Sequence, residues 1–289
     1  MTNTRPAAGS YTLGDLTVRR IGLGAKRLGN DRNQASRLLR DAVELGVNHI
    51  DTAAWYPTYA DVGHAIHDSS ALLWANEVIR DALRPYSKDL VIATKVGPTE
   101  SGLARPDQLR SQVEANLRPL GRDHLDLVYL RQHGLQSITE HFAALAQLRQ
   151  AGLIRHLGLS NVRLHHLTQA QTIAPVVAVQ NRYGVDFGRV NDEMLSTCGS
   201  QSIAFVPFFA LAGTGRELGG VVHNDAVNAF AQAHAVSPAQ VRIAWTLSRG
   251  AHVLAVPGTS DRGHLAENLR AGALVQQPEL ATLGDTEQG

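Results

Sequence analysis

Five polar residues, Asp51, Tyr56, Lys95, Arg131 and His133, each stand at or just beyond the end of a short apolar run. If those runs are strands, the five side chains could meet at one mouth, and the chemistry they would do is proton donation to a carbonyl. A free phenol, with a pKa of about 10, can protonate a nascent alkoxide but is poorly matched to neutral pH. A neighbouring ammonium favours the phenolate and lowers that pKa. A carboxylate paired with the lysine would keep it charged and oriented. Taken singly, each residue has a plainer reading: the aspartate as a helix cap or loop anchor, the lysine as a solvated charge, Tyr56 as packing beside Trp55 and Tyr59. The combination at successive strand ends is what points to acid–base work.

The elements that must position these groups follow from alternation. Apolar runs recur at 20–24, 48–51, 90–95, 125–131, 154–160, 177–181, 203–207 and 253–257, with helical patterns between them. Ala35, Leu38, Leu39, Ala42 and Val43 fall on one helical face, as do Leu109, Val113, Leu117 and Leu120. Ser237-Pro238-Ala239-Gln240 reads as an N-cap, a first-turn proline and a capping box. Short buried strands alternating with helices require a parallel sheet covered by its crossovers, and eight such units close a barrel. The expected fold is therefore α/β, a parallel (β/α)8 TIM barrel preceded by a short N-terminal β-hairpin over 11–13 and 16–18. An open doubly wound sheet is the weaker alternative. Gly22-Leu23-Gly24 runs on into Lys26, Arg27 and Leu28, so no Gly-x-Gly-x-x-Gly turn follows the first strand. The segment 52–71 lacks periodicity and leaves the functional end of the second strand, which makes it a candidate lid or substrate wall.

Composition narrows the partners. With 44% hydrophobic residues, 18% charged residues and a net charge of +1, the chain reads as one globular domain over 1–289, with loose tails at 1–10 and 284–289. It carries no electrostatic footprint for nucleic acid or a membrane surface, and no apolar run long enough to span a bilayer. The polar start and the single cysteine, Cys198, suit a reducing, cytoplasmic setting. Cys198 reads as a packed thiol, because nothing nearby supplies a base. His64 and His67, with Asp61 and Asp68, share no helical face and are joined by no cysteine, so no metal is expected. His165-His166 opens a helix and reads as solvated.

Five motifs in order carry a resemblance: Gly46-Val47-Asn48-His49-Ile50-Asp51-Thr52-Ala53 with Tyr56; Ile92-Ala93-Thr94-Lys95; Gly152-Leu153-Ile154-Arg155 leading to Gly158-Leu159-Ser160-Asn161; Val179-Gln180-Asn181; and Val256-Pro257-Gly258-Thr259 with Glu267-Asn268. From about Tyr11 to Ala273 the chain resembles the aldo-keto reductases. The resemblance implies that Tyr56 is the general acid, that Lys95 lowers its pKa and that Asp51 pairs with Lys95. It implies an NADPH cofactor whose carboxamide meets Ser160, Asn161 and Gln180, with Phe208 stacking on the nicotinamide. Ordinary core packing is the other reading of Phe208 and Phe209. The adenosine end would lie along Gly258, Thr259, Ser260, Arg262, His264, Glu267 and Asn268, where hydroxyl, guanidinium and backbone donors suit a 2′-phosphate.

Two departures stand out. His264 replaces the family's arginine three residues before the glutamate, so Arg262 or Arg270 would have to compensate, and NADPH against NADH stays open. The family's fourth catalytic position, a histidine, falls on Arg131, with His133 two residues on. Residues two apart on a strand face the same side, so either could serve. Arg131 is favoured as a fixed donor to the carbonyl oxygen, and pyridoxal-reductase-like bacterial branches resemble the chain in having Leu-Arg there. The implied activity is reduction of a small aldehyde or ketone, with Trp55, His133 and Phe209 lining the substrate pocket along with parts of 56–71 and 209–220. A cofactor-dependent dehydration or rearrangement, or a non-catalytic NADP-binding redox sensor, are the alternatives. Oligomeric state is not legible.

Overall fold

A computed structural model describes residues 8–56, 73–187, 189–208, 211 and 223–283. The chain opens with an antiparallel hairpin, β1 (Ser10–Leu13) and β2 (Leu16–Arg19), turning on Gly14 at φ +64°. Then come β3 (Leu23–Gly24), α1 (Arg32–Glu44), β4 (His49–Asp51), α2 (Ala75–Leu83) and β5 (Val91–Val96). A small hairpin of β6 (Pro98–Thr99) and β7 (Gly102–Leu103) follows; the sequence reading did not anticipate it. The chain continues through α3 (Leu109–Leu120), β8 (Leu125–Arg131), α4 (Thr139–Gln150), β9 (Ile154–Ser160), α5 (Leu164–Gln171), β10 (Val176–Gln180), α6 (Asp192–Ser200) and β11 (Ala204–Phe205). The last helices are α7 (Asp225–Ala233), α8 (Pro238–Ser248) and α9 (Arg262–Arg270). As its residues suggest, α8 begins with a capping box of Ser237 and Gln240.

Seven strands form one parallel sheet in the order β11-β10-β9-β8-β5-β4-β3. The eighth stave, expected at 253–257, is present as two parallel bridges rather than a regular strand: Val253 pairs with Phe205, and Ala255 with Ile21. Leu254 N–H donates to Phe205 O at 2.9 Å and Gly22 N–H to Ala255 O at 2.8 Å, so this segment joins the two edges and closes the barrel. Residues 1–7, 57–72 with the four metal-candidate residues, 188, 209–210 including Phe209, 212–222 and 284–289 lie outside the described residues. Among the described residues no helix is long and apolar enough to cross a membrane.

Two apolar layers follow from the period-two alternation of strands. Ile50, Ile92, Val128, Leu130, Leu157, Leu159 and Val179 face outward into the helices, packing with residues such as Leu39, Val113 and Leu145. Val91, Ala93, Leu127, Tyr129, Ala178, Ala204 and Leu254 face inward and meet Leu13, Leu16 and Val18 of the hairpin, which stoppers the end where the strands begin. Tyr129 fills the centre so fully that a Cβ on Gly158 would stand 2.6 Å from its ring.

Closure is fastened by a residue outside every motif. Arg20, 8% exposed, donates from Nε to Val253 O at 3.0 Å, from Nη1 to Ala8 O at 3.3 Å, and from Nη2 to Leu247 O at 2.5 Å and Gly250 O at 2.6 Å. One rigid fork thus ties the first stave to the turn before the eighth. Arg20→Met leaves buried carbonyls without their donor, so we expect a loss of about 3 kcal/mol. Urea titration followed by far-UV circular dichroism measures it as a fall in the midpoint.

Candidate active site

The inward register that packs the barrel also carries the polar residues to its mouth. On β4, His49 and Asp51 face inward around the outward-facing Ile50; on β5, Lys95 follows Val91 and Ala93; on β8, Arg131 follows Leu127 and Tyr129. Ser160 and Gln180 end β9 and β10 in the same way. Lys95 is 2% exposed and Asp51 6%. The Lys95 ammonium donates to Asp51 Oδ1 at 2.5 Å and to Thr52 O at 3.0 Å. Asp51 Oδ2 accepts from Gln180 Nε2 at 2.9 Å, so both carboxylate oxygens are used. Burial would lower the pKa of Lys95, but the charge of Asp51, the nearness of Tyr56 and hydrogen bonds to both together raise it above the ordinary lysine value. The lysine is therefore a fixed cation.

Tyr56 lies just past β4, half-buried, with its ring centroid 5.0 Å from Lys95 Nζ. Its backbone is held at both ends: its N–H donates to Ala53 O at 3.0 Å, and its carbonyl accepts from Ala75 N–H, at the start of α2, at 3.0 Å. Trp55 stands edge-on to it, with centroids 6.0 Å apart. Beneath this group runs a buried polar chain. Thr52 Oγ1 donates to Asn76 Oδ1 at 2.8 Å, and Asn76 Nδ2 to Asn116 Oδ1 at 3.0 Å. Asn116 Oδ1 also accepts from Thr94 Oγ1 at 2.5 Å. The loop carrying Tyr56 and the strand carrying Lys95 are thereby tied to α2 and α3.

These residues open onto a cavity of about 610 Å³, whose described wall includes Asp51, Trp55, Tyr56, Arg131, Gln180 and Phe208 on one part, and Gly258, Thr259, His264, Glu267 and Asn268 on another. Arg131 Nη1 donates to Ser160 Oγ at 3.3 Å, and its guanidinium carbon sits 5.2 Å from the Phe208 ring centroid. His133 is exposed and lines a different pocket with Gly134, His165 and Arg182. β8 ends at Arg131, so the alternation that would have turned residue 133 inward stops there. Asn161 lies on that other side too. Its backbone is left-handed at φ 59°, its N–H donates to Gln180 O at 3.0 Å, and its Nδ2 donates to Gln132 O at 3.1 Å. Ser260 and Arg262 are absent from the described cavity wall. Arg262 Nε instead forms an ion pair with Asp41 of α1 at 2.9 Å, with a side chain 74% exposed.

One expectation about histidines is corrected by the structure, and one histidine adds to the picture. His166 is not solvated: it is 2% exposed, its Nδ1 accepts from Arg163 N–H at 3.1 Å, and its Nε2 lies 2.9 Å from Leu135 O. Packing of α5 covers the face on which it falls. His49, two residues before Asp51, is fully buried and neither ring nitrogen finds a protein partner among the described residues. Burial, with a smaller contribution from Lys95 against the pull of Asp51, lowers its pKa from 6.5 to about 4. The unfolded chain therefore binds a proton between those values that the folded chain does not. Stability from this group is complete above the unfolded pKa and drains away as pH falls towards the folded one. We expect a loss of about 2 kcal/mol between about pH 7.5 and pH 5. His49→Leu should flatten that slope in urea midpoints measured at the two pH values.

Sequence reasoning missed several members of the wall. Lys26 and Arg27, just after β3, line the cavity, and Lys26 Nζ is 5.8 Å from the Tyr56 ring centroid. The strand-end rule that picked out Asp51, Lys95 and Arg131 also applies to the first stave and would have found them. Ser237, Pro238 and Ala239 at the start of α8, and Arg242 in its second turn, also line the cavity. Arg242 donates from Nε to Asp186 Oδ2 at 2.6 Å, a long-range pairing that no local pattern signals. Cys198 is buried, its thiol pushed up to about 12 by desolvation, as fits an inert packed side chain. Among the described residues no group of three or more His, Cys, Asp or Glu side chains could hold a metal.

Comparison with known proteins bears on this arrangement. The family model described as aldo/keto reductase family matches residues 20–282. Pyridoxine 4-dehydrogenase of Escherichia coli is 36% identical, over 96% of this chain and 98% of its own length. Methylglyoxal reductase YeaE of the same organism is 30% identical, over 93% and 89%. An aldo-keto reductase from Klebsiella pneumoniae, solved in complex with NADPH, superposes with a TM-score of 0.78 at 27% identity, over 96% of this chain and 94% of that one. A barrel closed at its eighth stave, an Asp51–Lys95 pair beside Tyr56 at its mouth and a match from residue 20 to residue 282 assign the chain to the aldo/keto reductase family.

Proposed function

We propose that the protein is an NADPH-dependent carbonyl reductase in which Tyr56 is the proton donor. The observation that carries this reading is the buried Asp51–Lys95 pair set against Tyr56 in the wall of a large cavity. The cavity suits the cofactor on its own chemistry. Its volume of about 610 Å³ lies in the range of cofactor and ligand sites. Arg27, Thr259, His264 and Asn268 offer guanidinium, hydroxyl, imidazole and amide donors along one part of it, a set suited to phosphate and ribose oxygens.

When bound, reduced nicotinamide supplies the hydride for the carbonyl carbon. The chain's own residues handle the oxygen. As negative charge grows there, Tyr56 Oη hydrogen-bonds it and gives up its proton, yielding the alcohol. The Lys95 ammonium, 5.0 Å from the ring centroid, balances the charge left on the phenolate. Asp51 keeps Lys95 charged and in place, and Gln180 holds the other oxygen of Asp51. Arg131, fixed by Ser160 Oγ at 3.3 Å, offers further N–H groups to the same oxygen. Phe208 supplies a flat apolar surface beside Arg131 for the nicotinamide ring.

Purified protein mixed with NADPH and a panel of aldehydes, pyridoxal included, should consume reduced cofactor in step with alcohol formation. NADH run in parallel tests the cofactor preference that His264 leaves open. Binding of NADP+ with no consumption on any carbonyl would turn the reading towards a cofactor-binding sensor.

A further inference from the structure

Barrel closure packs the segment that follows the first stave, 24–34, against the one that follows the eighth, 256–268. Gly24 N–H donates to Pro257 O at 3.1 Å, and Gln34 Nε2 donates to Ser260 O at 3.1 Å. Arg27 lies on this seam. A Cβ on Gly258 would stand 3.5 Å from Arg27 Cβ and 3.8 Å from its Cγ, so the stem of the arginine is seated on the glycine. Arg27 is exposed and belongs to the cavity wall, beside Gly258, Thr259, His264 and Glu267. The other lysine and arginine side chains of the described wall are engaged elsewhere. Lys26 Nζ is 5.8 Å from the Tyr56 ring centroid, Arg131 donates to Ser160 Oγ at 3.3 Å, and Arg242 donates to Asp186 Oδ2 at 2.6 Å.

The charges of 258–268 are adverse to a phosphate. Asp261 caps α9, its Oδ1 accepting from His264 N–H at 2.8 Å, and so occupies a backbone donor at the start of the helix. Glu267 places a second carboxylate in the wall. The arginine of this segment, Arg262, is 74% exposed and ion-paired with Asp41 at 2.9 Å, outside the described wall. A phosphate monoester carries a charge of about −1.5 to −2 at neutral pH, and two carboxylates repel it unless a cation offsets them. Arg27 brings that cation from the opposite segment, with a planar fork that suits phosphate oxygens. Resting on the NADPH-dependent reading above, we infer that Arg27 selects NADPH over NADH by taking the 2′-phosphate that only NADPH carries. Its stem is seated on the segment leading into α9, whereas Lys26 leans towards Tyr56, so Arg27 addresses the end of the cofactor remote from the hydride. Arg27 is a specificity-determining residue for the cofactor.

The test is binding, read by titration calorimetry without turnover. The wild-type protein is expected to bind NADPH about thirtyfold more tightly than NADH, the scale of a hydrogen-bonded charge pair. Arg27→Met should remove most of that ratio by weakening NADPH, while NADH binding stays within about twofold. Arg27→Lys keeps the charge and loses the fork, so it should retain an intermediate ratio, and Arg27→Glu should turn the preference towards NADH. Two fragments locate the contact. Adenosine 2′,5′-bisphosphate carries the 2′-phosphate without the pyrophosphate, and adenosine 5′-diphosphate the reverse; Arg27→Met should weaken the first alone. Equal weakening of NADPH and NADH, or of the diphosphate fragment alone, would give Arg27 to the pyrophosphate and overturn the inference. An unaltered ratio in Arg27→Met would overturn it as well, and a collapse of the ratio in Arg262→Met would then assign the phosphate to Arg262. Equal binding of the two cofactors by the wild type would overturn the inference and leave the reductase standing. If neither cofactor binds, the reductase reading fails first and this inference with it. Circular dichroism checks that each variant folds, as the exposure of Arg27 leads one to expect.

Discussion

Replacing Tyr56 by phenylalanine is expected to lower kcat roughly a thousandfold, the usual scale for loss of a positioned general acid, while NADP+ still binds. The substitution removes one oxygen and keeps the ring that packs edge-on to Trp55 and lies 5.0 Å from Lys95 Nζ. The backbone anchors of residue 56, to Ala53 and Ala75, do not depend on the side chain. A fall in kcat with little change in substrate KM would identify an interaction made only as the oxyanion forms. Turnover within a few-fold of wild type would remove Tyr56 from the acid's role and direct attention to Arg131. Steady-state kinetics with one good aldehyde, beside cofactor titration by fluorescence, decide the matter.

The second large effect falls on stability and activity together. Lys95→Met leaves the Asp51 carboxylate, 6% exposed, with Gln180 as its remaining side-chain donor among the described residues. Removing one partner of a buried pair costs about 3–5 kcal/mol, because the surviving charge stays desolvated. The urea midpoint should fall accordingly, and turnover should fall with it. Asp51→Asn in the same chain removes the stranded charge, so the double variant should regain much of the lost stability while staying inactive. That split separates the pair's part in folding from its part in proton transfer. A double variant as unstable as Lys95→Met alone would show that packing around the lysine stem, rather than charge, sets the cost.

Much of this arrangement is legible in the residues. Asp51, Lys95 and Arg131 end apolar runs whose alternation fixes the side each faces, and the register observed on β4, β5 and β8 follows it. The capping box at Ser237 and Gln240 depends on neighbours three residues apart, and it stands where the residues place it. His133 shows where the rule stops: period two holds only while the chain remains a strand, and β8 ends at Arg131. Asn161, Ser260 and Arg262 sit in the expected segments, yet their side chains or backbones engage Gln132, Gln34 and Asp41 respectively. Those partners are remote in sequence or on the far side of a turn. The eighth stave read as a full strand and proved to be two bridges, because its pairing is set by edges contributed from residues 21 and 205.

The sequence by itself determined the number of β–α units, the inward-facing positions on each stave and the residue types available at the mouth. These depend on periodicities of two and 3.6 residues and on caps, all of which are local. Only the tertiary structure decided which of those residues meet. The fork of Arg20 across the closing seam, the Arg242–Asp186 pair and the flanking of Tyr56 by Lys26 and Arg131 arise from which staves and helices become neighbours. Closing a barrel brings the first stave against the eighth, and no local signal in the chain encodes the contacts made when its two ends meet.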